Sequence, residues 1–456
     1  MIVDIKEKIF KAYDIRGVYP NELNEEVALR IGRSFAELLN RERKTKKKLN
    51  IVVGRDYRIS SRSISDKLIK GLLEGGVNVI DIGLSTSPML YFSVSYFNYN
   101  GGVQVTASHN SFQYNGFKMV RGDSLPLSGK TGIQEIKRIS KIEKFEKIEK
   151  GKLFKKKILK DYIDFNLSGF KPKELRPLKI VVDTANAVPG ILVPNIFKET
   201  PLRIYPLFKR MDGSFPNHDP NPLLRKNMKS LLKKVKEEKA DMGIAFDGDG
   251  DRIMFVDEKG KIVPADLILA LVSKIILKGK KEKILYDLRS SNIVRETIKK
   301  NGGIPVMSRV GHSFIKPRMK KENILFGGEV SGHYYYKPHY FCESPFFVLF
   351  SILEKISKSG LSFSRLINSF NVYCHSGEIN FKIEKINLGK IIEKLEKKYE
   401  KGEISHIDGL RIDFDEWWFN VRPSNTEPLL RMNLEAKSKK IMENKKKEIS
   451  SIISSF

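Results

Sequence analysis

The sequence predicts three related α/β domains with mixed sheets, followed by a C-terminal α+β domain. Short β-branched runs alternate with amphipathic helical runs through most of the chain, which is the pattern of βαβ units. This pattern recurs three times, and each copy ends with a short apolar strand that leads directly into a polar motif. The length of 456 residues agrees with several domains, since one domain typically takes about 150 residues.

The three copies share one order of elements, in which three strands alternate with two helices. The predicted strands are 49–54, 77–83 and 103–105 in the first copy, 178–182, 202–207 and 242–246 in the second, and 283–287, 304–308 and 324–326 in the third. The predicted helices are a segment ending near Glu74, then 87–97, 189–198, 227–239, 292–301 and 312–320. Open α/β sheets bind ligands at the carboxyl ends of their strands. The three polar motifs are therefore expected to face one central cleft.

The last part of the chain has a different pattern. Strands at 409–414 and 417–421 form a predicted hairpin, a further strand covers 429–435, and a basic helix covers 438–453. The predicted domains are 1–152, 153–259, 260–370 and 371–456.

The chain is strongly basic, with a formal charge of +29. Such a charge is compatible with binding of nucleic acid, a membrane surface or phosphorylated substrates. The lysines are spread along the whole chain, however, so a solvated basic surface is the simpler interpretation. Nucleic-acid binding is not expected. A non-catalytic, polyanion-binding protein is kept as an alternative from a different functional class.

The sequence also predicts a cytoplasmic protein without membrane contact. No apolar run approaches the ~20 residues that span a bilayer. The segment 1–17 is mixed and charged, and it lacks the apolar core of a signal peptide. Only Cys342 and Cys374 occur, so no disulfide framework is implied.

Three aspartates that follow the last strand of the second copy predict a divalent cation site. Asp247, Asp249 and Asp251 alternate with glycines, so an extended backbone points the three carboxylates to one side. Carboxylate oxygens suit Mg²⁺, which usually keeps positions for water or a phosphate oxygen. An EF-hand and a plain acidic turn are the alternatives. The EF-hand is disfavoured because Arg252 stands where that loop needs glycine.

Ser108, which follows the last strand of the first copy, is a candidate phosphoryl carrier. Its small and turn-forming neighbours suit an exposed hydroxyl in a loop. Ser108 is followed by His109, but adjacent residues rarely form a hydrogen-bonded pair, and no G-x-S-x-G segment occurs, so a hydrolytic triad is disfavoured. Lys118, which lies shortly after this loop, could contact a sugar or shuttle a proton.

Two further motifs offer binding groups for a sugar phosphate. Glu329, Ser331 and His333 alternate in an extended loop, where they could accept sugar hydroxyls and transfer a proton. Arg422 can bind a phosphate with two hydrogen bonds, and the residues after it add short donors. Those residues are Ser424, Asn425 and Thr426.

Some polar residues give a weaker signal. Arg16, Arg289 and His312 are lesser candidates that could equally be plain surface or core residues. The remaining histidines considered lie in no recognisable pattern, and they are His218, His339, His375 and His406.

These four motifs, in this order, resemble those of the α-D-phosphohexomutase family, and within it the phosphomannomutase/phosphoglucomutase group. The resemblance covers essentially the whole chain and implies four domains around a central cleft. It implies that Ser108 is phosphorylated and that its phosphate joins Asp247, Asp249 and Asp251 in binding Mg²⁺. By the same resemblance, Arg252, Lys118 and His333 take catalytic roles. The implied substrate-binding residues are Arg16, Arg289, His312, Glu329, Ser331, Arg422, Ser424, Asn425 and Thr426.

The implied activity is reversible phosphoryl transfer between O1 and O6 of a hexose phosphate, with mannose and glucose phosphates as expected substrates. A hexose 1,6-bisphosphate would serve as activator and intermediate, and the protein would be a monomer or homodimer. Phosphoglucosamine mutase and a Mg²⁺-dependent phosphatase are alternative activities. Two departures from the family pattern occur. Ser111 replaces a usual proline, and Glu343 stands in a segment that usually contains Asp and ends in Gly, where it could alter domain packing.

Overall fold

In the described part of the chain, the strands form four β-sheets. The computed structural model describes residues 5–43, 46–142, 145–382, 388–423 and 429–456. The first three sheets are mixed and the fourth is antiparallel. The predicted fold class is therefore confirmed. None of the helices in the described ranges is long and apolar enough to cross a lipid bilayer.

The first sheet has six strands, ordered β1-β5-β4-β2-β3-β6. Its strands and the helices around it are β1 (Ile15–Val18), α1 (Glu25–Glu42), β2 (Asn50–Arg55), α2 (Ser61–Glu74), β3 (Asn78–Leu84), α3 (Ser87–Tyr96), β4 (Gly101–Val105), β5 (Tyr114–Arg121), α4 (Gln134–Ser140) and β6 (Leu153–Lys155). Because β6 pairs with β3, this sheet continues beyond residue 152, where the first domain was predicted to end.

The second sheet has five strands, ordered β11-β10-β9-β7-β8. The elements of this part are α5 (Leu159–Leu167), β7 (Lys179–Asp183), α6 (Val193–Ile196), β8 (Arg203–Leu207), α7 (Lys229–Glu237), β9 (Met242–Phe246), β10 (Ile253–Asp257) and β11 (Ile262–Val263).

The third sheet also has five strands, ordered β13-β12-β14-β15-β16. Its elements are α8 (Ala265–Leu277), β12 (Lys283–Asp287), α9 (Asn292–Lys300), β13 (Ile304–Ser308), α10 (His312–Glu322), β14 (Phe326–Gly328), β15 (Tyr334–Tyr336), β16 (Cys342–Glu343), α11 (Pro345–Ser359) and α12 (Phe363–Asn368).

The fourth sheet runs in the order β17-β22-β21-β20-β19, and β18 also pairs with β22. Its elements are β17 (Cys374–His375), β18 (Ile379–Lys382), α13 (Leu388–Lys398), β19 (Glu403–Ser405), β20 (Leu410–Asp413), β21 (Trp417–Pro423), β22 (Leu429–Ala436) and α14 (Lys439–Ser454).

The first three sheets repeat one arrangement. In each, the first predicted strand of the copy lies between the other two in a parallel trio, formed by β3-β2-β4, β8-β7-β9 and β13-β12-β14. An antiparallel strand then pairs with the third member of each trio, and these strands are β5, β10 and β15. Each polar motif is the connection between the third parallel strand and its antiparallel neighbour. The repeat therefore presents the three motifs at equivalent positions.

The predicted helix at 189–198 is wrong as a single element. The chain forms a short 3₁₀ turn at Val188–Ile191 and then only the four-residue helix α6. Pro189 and Pro194 explain the difference, since proline lacks the backbone N–H that an interior helical position needs. In the third copy, β12 and β13 have the predicted ends, whereas the strand predicted at 324–326 forms two residues later, as β14.

A continuous apolar core joins the second and third sheets. Helices α8 and α11 are buried along most of their length, and they pack against each other inside this core. Helix α3 and one face of the first sheet (Val52, Ile80, Ile82 and Val120) also contribute to it, whereas the other face of that sheet and the fourth domain have cores of their own. Because residues 265–273 of α8 and 345–353 of α11 are all buried, these parts of the two helices lack the periodicity that marks a surface helix.

Glu343, one of the departures from the family pattern, lies in a buried contact between domains. Its carboxylate is 2.5 Å from the Lys316 ammonium, and both side chains are almost fully buried. The same ammonium lies 3.6 Å from the centre of the Tyr91 ring in α3. This group therefore links the third domain to the first.

Helices α1 and α2 cross at two glycines. A Cβ atom added to Gly71 would lie 2.0 Å from the Leu29 carbonyl oxygen, and one added to Gly32 would lie 2.3 Å from the Leu68 oxygen. Contacts this short with backbone atoms cannot be relieved by a side-chain rotation. The crossing therefore requires glycine on both helices.

We predict that Gly71→Ala destabilises the protein by about 1–3 kcal/mol, because the added methyl group pushes the two helices apart. Urea unfolding monitored by circular dichroism would measure the change. Gly389→Ala is the matched control, since nothing lies within 4 Å of the added Cβ in α13, and it should cause no loss of stability. Equal stability of the Gly71 variant and the wild type would show that the crossing tolerates a side chain.

Candidate active site

Ser108 lies in the buried turn between β4 and β5, where its backbone has a positive φ of 51°. Its hydroxyl donates to Asp247 Oδ2 at 2.9 Å, and its N–H donates to Thr106 Oγ1 at 2.9 Å. The hydroxyl oxygen also lies 3.3 Å from His109 Nδ1. Adjacent serine and histidine side chains rarely form such a pair, and this turn is an instance in which they do. The serine hydroxyl points at the acidic segment of the second domain.

The three aspartates converge as their spacing predicts. Asp247, Asp249 and Asp251 are buried, and each offers an oxygen within 4.8 Å of the others. Within the described ranges, Asp249 Oδ1 is a buried oxygen with no hydrogen-bond partner. A buried, oxygen-only set with a free lone pair fits a hard cation such as Mg²⁺.

A glycine lets the aspartate segment approach the serine loop. A Cβ atom at Gly248 would lie 2.4 Å from the Ser108 carbonyl oxygen and 3.2 Å from the Pro220 ring. No other residue type fits that gap without moving one of the two loops. Gly248 therefore sets the distance between the hydroxyl and the carboxylates.

The electrostatics of the triad reflect crowded negative charge. Burial raises the pKa of the Asp247 carboxyl well above its usual range, and the charges of Asp251 and Asp249 add to this effect. Burial acts in the same direction on Asp251, but Lys118 and His333 outweigh it and hold the pKa of Asp251 well below its usual range. A bound divalent cation would relieve this crowding.

Three predicted catalytic side chains contact the triad. Lys118 Nζ donates to Asp249 Oδ2 at 2.6 Å and also to Asp251 Oδ2. Burial tends to discharge Lys118, but the aspartates outweigh burial and raise its pKa. His333 Nε2 lies 3.2 Å from Asp251 Oδ1, and Arg252 Nε lies 3.6 Å from Asp247 Oδ2. The structure thus gathers these residues beside Ser108.

The third domain adds the predicted sugar-binding loop. Glu329 is buried, and its carboxylate accepts from Gly311 N at 2.8 Å and from the Tyr335 hydroxyl at 2.7 Å. Ser331 Oγ lies 2.9 Å from His333 Nδ1. Because the same ring contacts Asp251 through Nε2, this loop reaches the triad. The His312 and His333 ring centres are 6.4 Å apart. Burial lowers the pKa of His312 well below its usual value, and the charge of Lys316 adds to this effect.

Arginines from the third and fourth domains surround one carboxylate. Glu378 Oε2 lies 3.6 Å from Arg422 Nη2 and 3.9 Å from Arg289 Nη1, while its Oε1 lies 3.4 Å from Arg431 Nη1. Arg289 is also held by Asp287 at 2.8 Å. This cluster can receive a dianion. Three predicted phosphate-binding residues lie outside the described residues, and they are Ser424, Asn425 and Thr426.

The N-terminal segment completes the cleft. Arg16, in β1, donates to the side chains of Asn110 in the serine loop and of Asp14. The Tyr13 ring packs edge-on against Phe314 at 5.6 Å and lies 6.1 Å from His312. Segments from the first three domains thus meet around the triad, as the carboxyl-end rule predicts for their motifs, and Arg422 of the fourth domain shares Glu378 with Arg289 of the third.

Sequence reasoning missed several residues that hold the site together. Arg58 and Asp56 lie beneath the serine loop, and the Ser87 hydroxyl donates to the Asp249 carboxylate. A signal for the first two existed, because they follow β2 as directly as the other motifs follow their strands. Glu378 carried no such signal, since a carboxylate among arginines is recognisable only in three dimensions.

Comparison with known proteins identifies the family. Models described as phosphoglucomutase/phosphomannomutase, alpha/beta/alpha domains I, II and III match residues 7–147, 160–260 and 264–373, and the model of the C-terminal domain matches 378–452. The chain belongs to the phosphoglucomutase/phosphomannomutase family. It is accordingly an enzyme of the isomerase class, a hexose phosphate mutase.

Individual relatives agree with this assignment along the full chain. A phosphomannomutase of Vibrio cholerae is 41% identical over 97% of this chain and 98% of its own length. A phosphomannomutase of Methanocaldococcus jannaschii is 40% identical over 98% of this chain and 97% of its own. A crystal structure of a phosphoglucomutase/phosphomannomutase family protein from Burkholderia thailandensis is 31% identical, has a TM-score of 0.90, and covers 99% of this chain and 98% of its own. The polyanion-binding alternative gains no support from these relatives.

We predict that Mg²⁺ raises the melting temperature of the wild-type protein and that Asp249→Asn largely removes this increase. A ligand that binds only the folded state at about 100 times its Kd stabilises by about 2.7 kcal/mol. Differential scanning fluorimetry across a Mg²⁺ series would measure the effect. Asp257→Asn is the control, because Asp257 accepts from the N–H groups of Lys259 and Lys261, outside the triad. An unchanged Mg²⁺ response in Asp249→Asn would contradict a metal site here.

His218, which lay in no sequence pattern, supports the loop that packs on Gly248. Its Nε2 is 3.1 Å from Asp183 Oδ2, and its Nδ1 is 2.8 Å from the Asp219 carbonyl oxygen. Burial opposes the charged ring, but the hydrogen bond and charge of Asp183 outweigh burial and raise the pKa of His218.

A raised pKa in the folded state means that protonated His218 stabilises the fold. This contribution is fully present below the unfolded pKa of about 6.5 and is lost as the pH rises through the folded value. We predict that the wild type exceeds His218→Gln in melting temperature by more at about pH 6 than at about pH 8.5. Thermal melts across this range test the sign, and a difference that grows with pH would refute it.

Proposed function

We propose that Ser108 carries the phosphoryl group that this mutase moves between O1 and O6 of a hexose phosphate. The observation that carries the proposal is the 2.9 Å contact between Ser108 Oγ and Asp247 within a buried acidic triad. Positive side chains surround the same point, so a phosphorylated serine would be compensated. The proposed substrates are mannose 1-phosphate and glucose 1-phosphate with their 6-phosphates, which agrees with the names of the relatives.

The first proposed step forms a bisphosphate. The phosphoryl group leaves Ser108 Oγ, a bond forms from phosphorus to the sugar O6, and the O6 proton passes to a basic side chain. Lys118 and His333 are the proposed acid and base, because both already contact the triad beside Ser108. Arg252 would stabilise the charge that moves during transfer. Positioning and electrostatics supply most of the rate enhancement in phosphoryl transfer.

The second proposed step regenerates the phosphoserine. The hexose 1,6-bisphosphate turns within the cleft, so that its O1 phosphate faces Ser108. The phosphoryl group on O1 is then transferred to Ser108 Oγ. The phosphorus–O1 bond breaks as the bond to Oγ forms, the Ser108 hydroxyl gives its proton to a basic side chain, O1 gains a proton, and the 6-phosphate remains as product. This sequence returns the enzyme to its starting state, and it explains why added bisphosphate would activate unphosphorylated enzyme.

The triad and the phosphoserine would together hold Mg²⁺. The proposed ligands are one oxygen each from Asp247, Asp249 and Asp251 and a phosphoryl oxygen on Ser108. The bound cation supplies neutralisation of charge on the phosphoryl group. Asp249 Oδ1, a buried oxygen without a hydrogen-bond partner in the described ranges, supports this assignment.

Substrate recognition is proposed to combine a hydroxyl site with a phosphate site. Glu329 and Ser331 would bind O3 and O4, which have the same configuration in mannose and glucose. A site that binds only these hydroxyls accepts both sugars, since the two differ at C2. The proposed phosphate site uses Arg422 with Ser424, Asn425 and Thr426, and Arg16, Arg289 and His312 would line its approach.

We also propose a cytoplasmic location and a monomeric or homodimeric assembly. The free thiols of Cys342 and Cys374 suit a reducing compartment such as the cytoplasm. A monomer or a homodimer is compatible with a cleft that one chain completes.

We predict that the wild type converts mannose 1-phosphate into the 6-phosphate and that Ser108→Ala abolishes this turnover, because the carrier oxygen is lost. ³¹P NMR with Mg²⁺ and a trace of hexose 1,6-bisphosphate would follow both phosphates and any free phosphate. Ser111→Ala is the matched control, since Ser111 Oγ in the same loop donates to Gln113 at 2.7 Å, away from the triad.

Other outcomes would contradict parts of this proposal. Substantial mutase activity in Ser108→Ala would refute the role of Ser108 as phosphoryl carrier. Release of free phosphate without a 6-phosphate would indicate a phosphatase. Conversion of glucosamine phosphate in preference to mannose and glucose phosphates would indicate the phosphoglucosamine branch.

A further inference from the structure

Arg58 lies directly beneath the serine loop, in the segment that connects β2 to α2. Its side chain is fully buried, and its Nε donates to Asp56 Oδ2 at 3.0 Å. The two terminal nitrogens donate to four backbone carbonyl oxygens of one loop. These are Ser111 O at 2.6 Å, Tyr114 O at 3.2 Å, Ser108 O at 2.7 Å and Asn110 O at 2.7 Å. One guanidinium therefore holds the loop from its serine to the start of β5.

This arrangement fixes the direction of the peptide groups in the loop. A trans peptide points its N–H opposite to the preceding carbonyl. Because the carbonyls of Ser108, Asn110 and Ser111 turn toward Arg58, the N–H groups of the next residues turn away from it. Without the cation, the clustered carbonyl oxygens would repel one another and would be free to turn toward a phosphoryl group.

Asp56 extends the same control to the backbone of Ser108. Its Oδ2 accepts from Thr106 Oγ1 at 2.7 Å, and that Oγ1 accepts from Ser108 N at 2.9 Å. Its Oδ1 accepts from Arg58 N at 3.1 Å. The N–H and the carbonyl of Ser108 are thus both tied to one buried ion pair.

The second domain seals this ion pair from water. The Phe215 ring lies 5.0 Å from the guanidinium carbon of Arg58. A Cβ atom at Gly213 would lie only 2.4 Å from the Tyr57 carbonyl oxygen, so the two backbones are in close contact. Hydrogen bonds that water cannot replace are strong and costly to break. The domain that carries the aspartate triad therefore also covers the support of the serine loop.

From these contacts we infer that Arg58 is a positioning residue for phosphoryl transfer, which holds Ser108 Oγ at its distance from Asp247. It acts through the loop backbone and touches neither the sugar nor the triad. The inference rests on the proposed role of Ser108 as phosphoryl carrier.

Arg58→Lys tests the inference, because lysine keeps the charge but cannot serve four carbonyls and Asp56 together. A displacement of about 1 Å can cost a factor of about 100 in rate. We expect kcat for mannose 1-phosphate to fall by about 100-fold while KM stays within about twofold, since the proposed sugar and phosphate contacts come from other segments. Phosphorylation of Ser108 by the bisphosphate, followed by intact mass, should slow in proportion.

Arg62→Lys is the control for the same segment, because Arg62 is exposed and pairs with Asp66 at 3.0 Å. It should keep the wild-type kcat and KM. The inference is overturned by an Arg58→Lys variant with wild-type kcat. It is equally overturned if lost activity matches the lost folded fraction by circular dichroism, with the folded fraction turning over at the wild-type rate.

Thr106→Val decides the matter if Arg58→Lys does not fold. It removes the hydroxyl that joins Asp56 to Ser108 and leaves the guanidinium in place. Loss of this link should lower kcat on the order of 10-fold with KM unchanged, and a wild-type kcat would overturn the inference.

Ser108→Ala, measured in parallel, separates the two proposals. Mutase activity in Ser108→Ala refutes the carrier role itself, whereas an inactive Ser108→Ala beside a fully active Arg58→Lys refutes only the role of Arg58.

Discussion

The approach of the serine loop to the aspartate triad is the constraint on which the rest of the structure depends. Ser108 and Asp247 come from different domains, yet their side chains share a hydrogen bond of 2.9 Å. Gly248 permits the contact, because any side chain there would strike the Ser108 carbonyl. The contact also concentrates charge, so Lys118, Arg252 and His333 gather around it. Lys118 and Arg252 offset the negative charge of the triad where the two loops meet.

Much of the fold follows from local chemistry that the sequence displays. The alternation of β-branched and amphipathic runs predicted the parallel trios, and β12 and β13 have the predicted ends. The helix at 189–198 failed because Pro189 and Pro194 remove backbone donors that an amphipathic pattern does not take into account. Helices α8 and α11 were not predicted, because much of each helix is buried on all sides. Residues 265–273 and 345–353 therefore show no alternation of apolar and polar positions from which a helical face could be recognised.

The site was predictable where side chains of distinctive type follow a strand at alternate positions. Asp247, Asp249 and Asp251 converge as that spacing requires, and Glu329 and His333 lie beside them. Asp56 and Arg58 also follow a strand at alternate positions, but the spacing could not reveal that Arg58 binds backbone carbonyls, which every residue possesses. It also could not reveal Glu378, which faces arginines from segments far apart in the sequence. Contacts of this kind exist only after the domains have assembled.

The threefold repeat has a consequence for how the enzyme tolerates damage. Each copy offers the same turn, between a parallel strand and its antiparallel neighbour, but each turn carries different side chains: Ser108 in the first copy, the aspartate triad in the second, and Glu329 with His333 in the third. No copy can stand in for another, although all three share one scaffold. A substitution of Ser108 therefore cannot be compensated by the turn that carries Asp247, 139 residues further along the chain. The three copies therefore share one arrangement of strands, but their turns are not interchangeable.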